Sequence, residues 1–141
     1  MRVKNPTVPL KQICVIPFAC GQKLKIKGCA RYHTDAENCF AISLGQEQNI
    51  PLYLKFYHKL ELMTANSFMD GRWGSSEEKA LNRVRDGAKF RISIKPEKTG
   101  FRIKINGRHF HYARDDIHLP TATFVEITGG VEIHSLKVKG R

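Results

Sequence analysis

Trp73 is the only tryptophan of the 141-residue chain, and it stands between the turn formers Asp70-Gly71-Arg72 and Gly74-Ser75-Ser76. An indole beside turns can stack on the apolar face of a sugar or fill a sandwich core, and the residues alone leave both readings open. Asn66 lies just upstream and alternates with Thr64 and Phe68 on one face of its segment. Its amide can serve a ligand or satisfy a strand end. Lys55, Tyr57 and Lys59 share a face opposite Leu54, Phe56 and Leu60, so their polar ends project to solvent. That face is a binding surface or simply a solvated one.

Other reactive residue types assemble less. Cys14, Cys20, Cys29 and Cys39 form an even set but contain no closely spaced pair of the kind zinc sites use. The chain also exceeds the usual size of disulfide-stapled scaffolds, so free thiols and no metal are expected. His109 and His111 lie at strand spacing on one face without a third ligand, and His58 falls among the inward set as an interior or edge histidine. Asp115-Asp116 and Glu77-Glu78 are sequence neighbours whose side chains diverge on a strand. With no Ser-His-Asp or Cys-His arrangement, no catalytic residue, enzyme activity or cofactor is expected.

The elements that would position these residues are short and alternating. Leu24 to Gly28, Phe40 to Leu44, Leu54 to Leu60, Phe90 to Lys95, Phe101 to Asn106 and Val131 to His134 all read as half-buried strands. Asp70-Gly71, Asp86-Gly87, Thr99-Gly100, Asn106-Gly107 and Gly129-Gly130 supply turns that tolerate positive φ. Many short strands at this spacing indicate an antiparallel sandwich or barrel. Only Ser75 to Val84 hints at helix, and residues 1 to 10, with Pro6 and Pro9, read as a loose N-terminal lead-in to a single domain over 11–141.

Composition bounds the partners. Twenty-four Lys and Arg against 13 Asp and Glu give a net charge of +11, which keeps nucleic acid, acidic glycans and membrane surfaces open as anionic partners. No apolar run approaches the roughly 20 residues of a membrane helix, so no membrane insertion is expected. Met1-Arg2-Val3-Lys4-Asn5-Pro6 leads into no signal-peptide core. The sequence therefore reads as leaderless and soluble, in the cytoplasm or outside the cell by leaderless secretion.

Several segments, in order, resemble the galectin family of lectins. They are Gln22 to Gly28, Phe40 to Leu44, Asn66-Ser67-Phe68 followed by Arg72-Trp73-Gly74, Gly87 to Ile94 with Phe101 to His109, Tyr112-Ala113-Arg114, and Val125 to Val131. The resemblance runs over about residues 8 to 139 and implies an all-β, antiparallel jelly-roll β-sandwich of two sheets. It also implies a β-galactoside site on the concave sheet, built from a His-x-Asn-x-Arg strand, an Asn on the next strand and a Trp-Gly-x-Glu-x-Arg segment. Carried over, these positions are Lys55-x-Tyr57-x-Lys59, Asn66, and Trp73-Gly74-Ser75-Ser76-Glu77-Glu78. Trp73 and Asn66 keep the family residues, Lys59 keeps only the charge of the Arg, and Lys55, Tyr57, Ser76 and Glu78 depart. The segment from Leu60 to Ala65 is shorter than the family's, which clips the hairpin that walls the galactose subsite.

The expected function is therefore a galectin-like carbohydrate-binding domain with weakened or altered β-galactoside recognition. Its carbohydrate-binding residues would be Lys55, Tyr57, Lys59, Asn66, Trp73 and Glu78, and its partner a glycan or glycoprotein, with sulfated or sialylated forms favoured. A homodimer is left open. The alternatives are a protein-interaction module that has lost sugar binding, or a polyanion binder. Burying Phe90, Ile92, Ile94, Ile103 and Ile105 forces Lys95 opposite Arg102 and Ser93 opposite Lys104, with Arg91 facing Asn106. Arg91, Lys95, Arg102 and Lys104 then form a polyanion patch on what the resemblance makes the convex sheet. Nucleic acid is the less favoured polyanion, because exposed stacking aromatics are missing from the sequence pattern.

Overall fold

Apolar side chains at every second position can be buried only by laying one face of each strand against a second sheet, and the computed structural model does this over residues 1–80, 84–118 and 120–140. The strands are β1 (Arg2–Lys4), β2 (Leu10–Phe18), β3 (Gln22–Ala30), β4 (Cys39–Gln46), β5 (Asn49–Tyr57), β6 (Leu62–Met69), β7 (Arg72–Trp73), β8 (Glu77–Ala80), β9 (Lys89–Glu97), β10 (Gly100–Ile105), β11 (Arg108–Ala113), β12 (Ala122–Gly129) and β13 (Val131–Gly140). A single 3₁₀ turn, Tyr32–Thr34, precedes β4.

Two antiparallel sheets result. One runs β1-β13-β3-β9-β10-β11; the other runs β2-β12-β4-β5-β6-β7, with β8 also paired to β6. Between them, Phe40 and Phe56 stack at 4.3 Å, and Phe40 reaches across to Phe90 of the opposite sheet at 5.7 Å. Each buried Phe contributes about 1.5–3 kcal/mol, which makes this stack a principal tie between the layers. Tyr32 is buried against Phe40 and donates its hydroxyl to the Val84 carbonyl at 3.0 Å. The four cysteines are free thiols.

The hairpin register is the one the apolar pattern requires: Lys95 pairs with Arg102, Ser93 with Lys104 and Ile92 with Ile105. Three expectations are corrected. The lead-in is not loose, because Arg2–Lys4 pairs with β13 and sets Val3 opposite the buried Leu136. The hint of helix fails at Glu77–Ala80, which pairs antiparallel with β6; residues 81–83 of that stretch lie outside the described residues. The strand read from Leu54 to Leu60 ends at Tyr57, whose partner is Leu62. The connection turns through residues 58–61, with Glu61 at φ 51°, and no room remains for the three further strand residues read at 58–60.

Candidate functional site

The outward face of the seven-stranded sheet is organised by its register. Ser43 of β4, Tyr53 of β5 and Asn66 of β6 form one rung; Ala41, Lys55, Thr64 and Glu78 form the next. Lys55 and Glu78 thus lie two strands apart, about 10 Å. Trp73 sits opposite Phe68 at the sheet edge. It reaches that place because Asp70 and Gly71 both adopt positive φ, 52° and 79°, in the two-residue turn between β6 and β7, a conformation Asp-Gly favours in tight hairpins.

Trp73 is 51% exposed, which excludes the core reading. Its ring is framed edge-on by Tyr53 and tilted against Phe68, both at 5.3 Å between centroids. One face of the sheet edge is therefore an aromatic platform held by two neighbours. Asn66 Oδ1 accepts the Ser67 N–H at 2.8 Å, leaving the amide nitrogen as a two-hydrogen donor beside the platform.

A clamp from the other sheet fixes this edge. Arg114, just past β11, donates from Nη1 to the Ser67 carbonyl at 3.0 Å, to Ser67 Oγ at 3.2 Å and to the Arg72 carbonyl at 3.3 Å, while its Nε pairs with Asp116 at 2.6 Å. Ser67 is fully buried and its hydroxyl also meets the Tyr112 hydroxyl at 2.7 Å. Gly74 donates its N–H to the Ser67 carbonyl at 3.0 Å. A Cβ on Gly74 would stand 3.2 Å from both Arg114 Nη1 and Asn66 Oδ1, so a side chain there would press on the clamp and on the candidate ligand at once.

Lys55 places its ammonium 5.2 Å from the Tyr57 ring centroid, within cation–π range. Burial acts to lower its pKa, but Tyr57, Tyr53, Cys39 and Glu37 outweigh that and the net direction is up. Burial likewise pushes the Tyr53 hydroxyl and the Cys39 thiol up, against the pull of Lys55. At neutral pH this leaves the Lys55 ammonium charged beside a protonated Tyr53.

The sheet thus brings Lys55, Tyr57, Asn66, Trp73 and Glu78 onto one face, and it does not bring Lys59 there. Lys59 is exposed in the β5–β6 turn, because the short hairpin ends the strand before it. His58 is likewise turned out of the inward set; it is exposed and its ring stacks on Tyr32 at 5.0 Å. Sequence reading missed Tyr53, although its alternation with Lys55 and Tyr57 marks it for this face. It also missed the role of Arg114, whose partner Ser67 is 47 residues away. Arg91, Lys95, Arg102 and Lys104 lie on the outward face of the other sheet. Among the described residues no group of three or more His, Cys, Asp or Glu is placed to hold a metal ion, and no helix is long and apolar enough to cross a membrane.

Comparison with known proteins agrees with this architecture. The family model of galactoside-binding lectins matches residues 9–138. Rat galectin-4 is 23% identical, with 96% of this chain and 43% of that protein covered. The 32 kDa beta-galactoside-binding lectin of Caenorhabditis elegans is 24% identical, with coverage of 98% and 50%. The chain spans about half the length of these curated relatives. The crystal structure of C. elegans galectin LEC-6 superposes with a TM-score of 0.86 at 24% identity, covering 98% of this chain and 95% of that one, and shares the two-sheet jelly roll. With a family model matched over most of its length, a sandwich of the same fold and an exposed tryptophan clamped at the sheet edge, the chain belongs to the galactoside-binding lectins, the galectins, a family of lectins and not of enzymes.

Proposed function

We propose that the domain binds a glycan at the Trp73 edge with altered specificity, holding neutral galactosides poorly and favouring sulfated or sialylated ones. The observation that carries this reading is an exposed, framed indole on the same sheet face as the ammonium of Lys55, one rung beyond Tyr53. The indole offers an apolar surface to a sugar ring, and the ammonium offers charge without the bidentate fork that fixes two neutral hydroxyls. Lys59, the residue that would stand in for the family's Arg, is off the face in a turn. Each hydrogen bond lost to galactose costs about 0.5–1.5 kcal/mol, so losing three weakens lactose binding by roughly 100-fold.

A glycan array with matched sulfated, sialylated and neutral galactosides tests the preference, and Lys55→Glu should erase it. Equal signals for sulfated and unsulfated partners, or low-micromolar lactose affinity by calorimetry, would sink this reading. A second reading, a protein-docking module that binds no sugar, is favoured by the same displacement of Lys59. An array silent for every glycan, with the Trp73 edge still protected in a protein complex, would establish it.

A further inference from the structure

The opposite sheet carries a different surface, which is independent of the glycan reading. Its outward residues form three cationic rungs, bounded by two outward rungs that each hold one acid, Glu132–Cys29–Lys89 and Glu97–Gly100–Ala113. The first is Lys4–Ser135–Lys27–Arg91, the second Arg2–Lys137–Lys25–Ser93–Lys104–His109, and the third contains Lys139–Lys23 and Lys95–Arg102–His111. Eleven Lys and Arg side chains, eight of them Lys, therefore lie in these three rungs, and none of the three holds a carboxylate. The nearest acids are marginal and already paired: Glu97 with Arg102 and His111, and Glu132 with Arg31 and His134. Like charges directly opposite are destabilising, and here they occur as Lys25–Lys137, Lys23–Lys139, Lys27–Arg91, Lys95–Arg102 and Arg2–Lys137. Cations of adjacent rungs add to this, since the pKa of Lys25 and that of Lys137 are both pushed down, first by Lys139.

The face is furrowed. The small Ser93 between Lys25 and Lys104 leaves a trough of about 460 Å³ walled by Lys23, Lys25, Lys27, Arg91 and Lys104. A second hollow of about 570 Å³, bordered by Lys95, Lys139 and the ion-paired Glu97, shares Lys23 and Lys25 with it. The two hollows, with Lys137 beside Lys25 in the second rung, make a predominantly cationic path across the sheet.

We propose that this path binds a linear sulfated polysaccharide, laid across the strands over Lys137, Lys25, Lys104 and Arg91. Three features select that occupant. Lysine is a hydrated point charge that reads charge density, where bidentate phosphate recognition favours arginine. Among the described residues the face carries no exposed phenyl, phenol or indole ring, its only rung aromatics being His109 and His111 at the β11 edge, and it is made of strands without a helix to enter a duplex groove. A furrow fits a chain better than the plane of an anionic bilayer. The furrow also relieves a repulsion the fold already contains, since each bound sulfate sits between ammonium groups that otherwise oppose one another.

The experiment compares the full chain with two charge-matched variants on immobilised heparin, N- and O-desulfated heparin, duplex DNA and phosphatidylserine vesicles. The face variant is Lys25→Gln/Arg91→Gln/Lys104→Gln/Lys137→Gln; the control removes four cations elsewhere, Lys11→Gln/Lys59→Gln/Arg72→Gln/Lys79→Gln. The face variant should bind heparin roughly 100-fold more weakly at physiological salt, with a log–log salt slope shallower by about one per cation removed. Its melting temperature should be equal or higher, and its glycan-array pattern unchanged. Loss of the array pattern while heparin binding persists would count against the proposal, as would equal losses in the two variants or equal retention of desulfated heparin. DNA or vesicles bound more tightly than heparin at matched ionic strength would replace the polysaccharide as occupant and overturn it. A silent glycan array with heparin binding lost only in the face variant would fell the Trp73 reading and leave this one standing.

Discussion

Lys55 and Lys25 are both central strand lysines on outward faces of the same sandwich, yet their surroundings drive them in opposite directions. Around Lys55 are Tyr53, Tyr57, Cys39 and Glu37, and its pKa rises; around Lys25 are Lys139, Lys23 and Lys27, and its pKa falls. The difference lies in the rungs. On the seven-stranded sheet Lys55 is flanked by the uncharged Ala41 and Thr64, so its charge stands beside aromatic rings. On the six-stranded sheet Lys25 is flanked by Lys137 and Ser93, inside a field of its own sign. One face sets a cation among rings and mixed charges, the other accumulates charge of one sign, and the two sheets need not recognise the same thing.

The sharpest way to break this contrast is to unfasten the aromatic edge. Arg114→Ala removes the donor to the Ser67 and Arg72 carbonyls and leaves Asp116 without its cation. Because Arg114 is only 19% exposed, the loss should be about 2–3 kcal/mol, read as a lower denaturation midpoint with an unchanged slope. Glycan signals should fall with it, while heparin binding by the surviving folded fraction is unaffected. Arg114→Lys should recover the charge facing Asp116 but not the reach to Ser67 and Arg72, giving an intermediate midpoint. An Arg114→Ala protein of wild-type stability and glycan binding would show that the clamp does not hold the edge.

Trp73→Ala acts on the platform and spares its frame. An indole 51% exposed contributes little to the core, and losing its contacts with Tyr53 and Phe68 should cost about 1 kcal/mol. Every glycan signal at this edge should vanish with that modest change, and heparin retention should stay. Retained array signals would move the saccharide away from Trp73.

How far these faces were legible depends on where the information sits. Local alternation is enough for Lys95 opposite Arg102 and Ser93 opposite Lys104, because a two-strand hairpin with one apolar face has one register that buries it. It is also enough for the shared face of Thr64, Asn66 and Phe68. Alternation failed at Lys59, where periodicity continued through a segment that the chain spends on a turn. It said nothing of Arg114, whose acceptors come from β6 and β7. Most of the cationic face was invisible for a related reason: β13, β3 and β9 are neighbours in space and distant in sequence, so Lys137, Lys25 and Ser93 align only once the strand order exists.

The smallest effect is the most direct measure of the field on the six-stranded sheet. Lys25 and Lys137 have folded pKa values below their unfolded ones, so as pH rises the folded state gives up these protons first. Between the lowered folded value and the unfolded one, near 10.4, the unfolded chain binds more protons, and stability rises with pH. At neutral pH both states are fully protonated and the folded state bears the whole repulsion. Buried tyrosines act with the opposite sign: burial raises the Tyr112 and Tyr53 hydroxyls, so their contribution fades as pH climbs through the phenol range. The comparison must therefore be a difference. The stability of wild type minus that of Lys25→Gln/Lys137→Gln should be lowest near neutral pH and climb toward zero as pH approaches 10.4. The tyrosine contribution, common to both proteins, cancels, and added salt should flatten the climb by screening charges that lie fully in solvent. Parallel stability curves across that range would mean that the lysine rungs splay into water without opposing one another.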